Sequence, residues 1–115
     1  MDFEKLKGLI ISKIKNEENQ ELYFYSNDGR VFKQYHSRSC CESVHIEDIT
    51  GDLNDLIDVP IQMAESYTKQ GDNKYSQFTF YKLATIKGYV TIRWLGSSNG
   101  YYSVEVQTKE IQPEV

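Results

Sequence analysis

At 115 residues the chain is one domain's worth of sequence. Its 39% apolar content, with nine Tyr, five Phe and one Trp, is enough to build a core and argues against global disorder. The net charge of −4 argues against DNA, RNA or an anionic membrane surface as a main partner, and no apolar run approaches the roughly 20 residues of a membrane span. Glu42 to Asp58 holds six acids and no Lys or Arg, leaving 13 basic and 11 acidic side chains elsewhere, so a local basic pocket for a phosphate stays open.

The opening stretch, MDFEKLKGLIISKIK, has acids ahead of its apolar part and no small-residue cleavage site, so it does not read as a signal peptide. Phe3, Leu6, Ile10 and Ile14 fit a helical stripe, but Gly8 and the Ile10-Ile11 pair favour a strand over residues 9–15. NEENQ then supplies a polar turn. Leu22, Phe24 and Ser26 alternate with Tyr23 and Tyr25 as a strand does, and Asp28-Gly29 predicts a tight hairpin turn because such turns need φ > 0. Val31, Lys33 and Tyr35 continue the alternation in the returning strand.

Val44, Ile46 and Asp48 mark a short strand. Leu53, Leu56 and Ile57 fall at helical spacing, with Thr50 or Asp48 placed as N-cap, so one short helix is expected near 50–58, ended by Pro60. PIQMAESY resumes as a strand, and TKQGDNKYSQ reads as a loop. Phe78, Phe80 and Lys82 alternate with Thr79, Tyr81 and Leu83, while Lys87-Gly88 makes a turn. Val90, Ile92 and Trp94 share a face, and after the GSSNG turn Tyr102, Val104 and Val106 line a last strand. The expected fold is mainly β: a single-domain antiparallel sandwich or partly open barrel over residues 1–115, with seven to eight strands and one short helix.

The conspicuous chemistry is His36, Cys40, Cys41 and His45. Adjacent residues on an extended chain point to opposite faces, so the two thiols do not both face one ion without a bend, and no metal site is expected. His36, His45 and Cys41 remain weak catalytic candidates, since a nucleophilic thiol needs a neighbouring base. The plainer expectation is one Cys in the core and one beside a cleft, as free thiols of a reducing compartment, because a disulfide between neighbours is strained. No phosphate loop, dinucleotide fingerprint or nucleophile elbow occurs, which leans the reading away from an enzyme and calls for no cofactor.

In IRWLGSSNGYY, Arg93 can make a bidentate contact to a phosphate. Ser98 and Asn99 offer hydroxyl and amide groups, and Tyr101 an aromatic face. Tyr35 and Arg38 are similar material. These six are the candidate ligand-binding residues, and an ordinary hairpin with surface tyrosines is the plain alternative.

Two blocks, DGRVFKQYHSRSCCESVHIEDITGDLNDLIDVPIQMAE and TFYKLATIKGYVTIRWLGSSNGYYSVEV, resemble a family of small uncharacterised proteins found mostly in bacteriophage and prophage genomes. Together they cover roughly residues 28 to 106. Asp58 stands where the resemblance leads one to expect Gly, and SVEV departs from its pattern. The resemblance implies a phage origin and the cytoplasm of a bacterial host, without an established activity. Small phage accessory proteins often antagonise host defence, some by sequestering nucleotide signals in compact oligomers.

The leading expectation is therefore a non-enzymatic phage accessory protein that binds a small anionic, nucleotide-like ligand and acts as a homo-oligomer, a dimer. A protein–protein inhibitor docking on a host enzyme through its acidic 42–58 surface is the alternative. A small nucleotide hydrolase using His36 or His45 is the second alternative.

Overall fold

Two hairpins organise the first half of the computed structural model, which describes residues 2–112. β1 (Ile11–Glu17) runs into β2 (Glu21–Ser26) through a turn in which Glu18 and Asn19 both adopt positive φ, 54° and 60°. Asn16 and Asn19 hold that turn through two hydrogen bonds of 2.9 Å. β2 returns as β3 (Val31–Tyr35) through the expected Asp28-Gly29 turn, where Gly29 sits at φ 90° and the Arg30 N–H donates to Asp28 Oδ1.

The chain then crosses to a second sheet built from β4 (Ser43–Thr50), β5 (Met63–Gln70), β6 (Ser76–Thr85) and β7 (Gly88–Ser97), and finally returns as β8 (Gln107–Ile111). The strand orders are β1-β2-β3-β8 and β4-β7-β6-β5, all neighbours antiparallel. The eight strands make a sandwich of two open sheets, so of the two expected architectures the sandwich holds.

β2, β6 and β7 bury alternate residues. Leu22, Phe24, Phe32 and Gln34 from the first sheet face Tyr81, Leu83, Val90, Ile92 and Trp94 from the second, and these side chains are at most 1% exposed. Burial of this apolar surface is the main driving force for the fold. The polar atoms of Trp94, Gln34 and Tyr81 are satisfied inside the core. Trp94 Nε1 donates to Gln34 Oε1 at 2.6 Å, Gln34 Nε2 donates to Thr108 Oγ1 at 3.3 Å, and the Tyr81 hydroxyl donates to the Val106 carbonyl at 3.2 Å.

Four local expectations need correction. Residues 3–14 divide: Asp2–Leu6 forms a 3₁₀ helix that buries Phe3 and Leu6, and a strand follows from Ile11. The helix near 50–58 is a four-residue 3₁₀ helix, Leu53–Leu56, whose N-cap is Asp52 rather than Thr50 or Asp48. Gly51 (φ 98°) and Asp58 (φ 66°) break the helical path on either side and keep it to one turn. The last strand begins at Gln107, because 98–106 is a loop folded over the end of the second sheet. Within the polar 68–77 stretch, β5 runs on to Gln70 and β6 starts at Ser76. Among the described residues no helix is long and apolar enough to cross a membrane.

Candidate functional site

The outward residues of β1, β2, β3 and β8 form three rows across the first sheet. Register places Lys15, Tyr23, Lys33 and Lys109 in one row, with Lys13, Tyr25, Val31 and Ile111 beside it, and Glu17, Glu21, Tyr35 and Gln107 on the other side. Tyr23 and Tyr25 stack, their ring centroids 6.4 Å apart at 26°. Ammonium groups sit over these rings: Lys13 is 5.5 Å from Tyr25, and Lys33 is 5.9 Å from Tyr23 and 4.6 Å from Tyr35. Four lysines against two glutamates make the face cationic in an otherwise acidic chain.

A groove of about 580 Å³ runs along this face between Lys15 and Arg30, floored by Tyr23, Tyr25 and Val31. Glu21 organises it. The carboxylate pairs with Lys33 at 3.0 Å and accepts from the Tyr23 hydroxyl at 3.0 Å. That pairing holds the Glu21 carboxyl below its usual range, chiefly through the hydrogen bond from Lys33, and raises Lys33 in return. Burial, then the bond to Glu21, pushes the Tyr23 phenol up. The 2.6 Å contact with Glu17 likewise raises Lys15. At the rim, Arg30 grips Glu110 with two hydrogen bonds, 3.0 and 3.2 Å. The chemistry on offer is a fixed aromatic platform edged by charged cations, suited to a planar ring that carries an anionic group.

The six candidate ligand residues do not converge. Tyr35 lies on this face. Arg38 is exposed on the 36–42 loop, its Nε donating to the Cys40 carbonyl at 3.1 Å. Arg93 points from the opposite face of the sandwich, where it pairs with Glu47 at 2.7 Å over the Phe78 ring. Ser98 Oγ and Asn99 Oδ1 each accept a backbone N–H two residues ahead at 3.0 Å, which shapes the turn, and Tyr101 there is 90% exposed. Within one chain the strand order sets these six apart. Ser98 instead borders an open hollow of about 590 Å³ with Lys69, Lys74, Tyr75 and Tyr102.

The His/Cys cluster is built around Glu42, whose side chain is fully buried. Its Oε2 accepts from the Ser39 N–H (2.8 Å) and meets His36 Nε2 (2.7 Å), while Oε1 accepts from the Cys40 N–H (3.0 Å). These contacts, the two backbone donors foremost, pull the carboxyl down to about 2. His36 Nδ1 meets the Glu105 carbonyl at 2.7 Å, so the ring, 5% exposed, ties the loop to the 98–106 segment. It acts as a strut with both ring nitrogens engaged, beside a small cavity of about 110 Å³ that it lines with Gln20, Arg38 and Ser43. His45 stands on β4 opposite Leu95.

Both Cys40 and Cys41 are exposed, so neither packs in the core as expected, and the structure joins their sulfurs in a disulfide rather than leaving free thiols. The loop bends at this pair, which turns both side chains outward. Of the other acids of 42–58, Glu47 pairs with Arg93, Asp48 accepts from the Thr50 hydroxyl, and Asp52 caps the 3₁₀ helix. Among the described residues no three metal-ligating side chains converge.

Sequence reasoning missed Tyr23, Tyr25, Lys13 and Lys15 as site residues. Their signal was present in the outward half of the alternation, where tyrosines and lysines take turns opposite Leu22 and Phe24. A family model described as a domain of unknown function matches residues 4–108. No curated protein and no solved structure matches the chain.

Proposed function

The chain belongs to the DUF7448 family, domains of unknown function, and we propose that it is a non-enzymatic binding protein for a small anionic ligand bearing a planar ring, of the nucleotide class. The observation that carries this reading is the Tyr23–Tyr25 stack with Lys13 and Lys33 on its rings beside the Lys15–Arg30 groove. A base lies on the tyrosines, and its phosphate exchanges with Glu17 or Glu110 for Lys15 and Arg30. The site thus moves from the residues expected by sequence to the outer face of the first sheet, with Tyr35 retained at its margin.

The use of His36 as a strut supports a binder over a hydrolase, and the local partners of Glu47, Asp48 and Asp52 weigh against the acidic-docking reading. The resemblance to small phage proteins supports a setting in the bacterial host, where such a binder sequesters a nucleotide signal of a defence system. Native mass spectrometry after incubation with bacterial extract tests the reading. A co-purifying nucleotide is expected on the native chain and absent from Tyr23→Ala. A chain that emerges without ligand from every extract overturns it.

A further inference from the structure

Four strand edges border the two sheets, and three are blocked. At β1 the Asp58 N–H donates to Ile11 O (2.8 Å), and the register shifts between Ile11 and Lys13. At β4 the Ile46 N–H donates to Asn19 O (2.7 Å), and the strand bulges between Ile46 and Asp48. At β8 Asp2 Oδ2 takes the Glu110 N–H at 2.8 Å. Each device satisfies or distorts backbone groups that would otherwise template another strand.

β5 is the least blocked: Gly8 and Leu9 bond to Ile61 just ahead of it and the Asp2–Leu6 helix packs beside it, but no bulge interrupts the strand. Its register with β6 is unbroken from Met63 to Gln70, and Glu65 and Tyr67 to Gln70 are exposed. Among the described residues no hydrogen bond from another element reaches its outer side. Gly71 donates to Ser76 O across the β5–β6 ladder, so by alternation the odd-numbered residues bond inward. The N–H and C=O groups of Ala64, Ser66, Thr68 and Gln70 then face out.

We propose that this edge is the contact surface of a homodimer, in which β5 pairs antiparallel with β5 of a second copy about a two-fold axis at Tyr67. The charge pattern selects that register. Glu65 and Lys69 flank Tyr67 two residues to either side on the outer face. The axis therefore sets Glu65 opposite Lys69 of the second copy, twice, in the closely spaced positions of the ladder. An axis at Ser66 or Thr68 loses both pairs. The chosen register also continues an aromatic row. Tyr67 stacks on Phe80 at 4.8 Å and 12°, and its ring, 46% exposed, would meet the Tyr67 ring of the second copy. The contact lies on the second sheet, away from the tyrosine groove, and stands or falls independently of the ligand reading.

Sedimentation equilibrium on four chains tests this. The native chain is expected at twice the mass of one copy. Glu65→Lys and Lys69→Glu, both at exposed positions, should associate about ten-fold more weakly or worse, because each places like charges opposite one another. The double variant Glu65→Lys/Lys69→Glu should recover the native association. A native chain of single mass, or single variants that associate as the native chain does, overturns the proposal.

Discussion

His36 and Glu42 meet at 2.7 Å with both side chains almost wholly removed from solvent. The other ring nitrogen faces the Glu105 carbonyl, also at 2.7 Å. Both ring nitrogens are thus engaged, one on the 36–42 loop and one on the 98–106 segment. His36→Ala should therefore lower the melting temperature by several degrees. An unchanged melting temperature contradicts the strut as described.

Acid should loosen this strut. An ordinary Glu carboxyl titrates near 4.5, and Glu42 is held at about 2 in the folded chain. A depressed carboxylate contributes stability that is complete above the unfolded value and fades as pH falls through the folded one. Melting temperature should thus decline between about pH 4.5 and 2 more steeply in the native chain than in Glu42→Gln. The variant should already melt several degrees lower at neutral pH. Equal slopes would mean the carboxylate does not hold the loop. Cys40→Ala should leave the strut in place, since Cys40 contributes its backbone N–H to Glu42.

Asp58 occupies a left-handed conformation, φ 66°, that Gly adopts without penalty, and its N–H bond to Ile11 survives substitution. Asp58→Gly is expected to stabilise the chain by roughly 0.5–1 kcal/mol, read as a melting temperature a few degrees higher. Gly51→Ala should do the reverse and by more. Gly51 is also left-handed, and a Cβ there would collide with the Tyr89 carbonyl oxygen.

Gln34 joins the sheets by accepting from Trp94 and donating to Thr108. Gln34→Leu strands the Trp94 N–H in the core and should cost about 1–3 kcal/mol in chemical denaturation. A neutral outcome would show that the bridge contributes little.

Alternation alone puts Val90, Ile92 and Trp94 on one face, and Asp28-Gly29 announces its turn; both are local signals that the structure bears out. The site is less legible because it depends on strand order. Tyr35 and Arg93 sit in similar local sequence, yet β3 and β7 belong to different sheets and turn these side chains to opposite sides of the sandwich. The CCE motif draws attention to its thiols, whereas Glu42 does the structural work through backbone donors that no residue type reveals.

Binding at the tyrosine face is tested most directly by titrating nitrogen-15-labelled protein with nucleoside mono- and diphosphates. Amide shifts should concentrate on β1, β2 and β3 around Lys15, Tyr23, Tyr25 and Arg30. Tyr23→Ala should abolish them while Arg93→Ala leaves them unchanged. Shifts confined to the second sheet around Arg93, or none at millimolar ligand, would contradict the assignment.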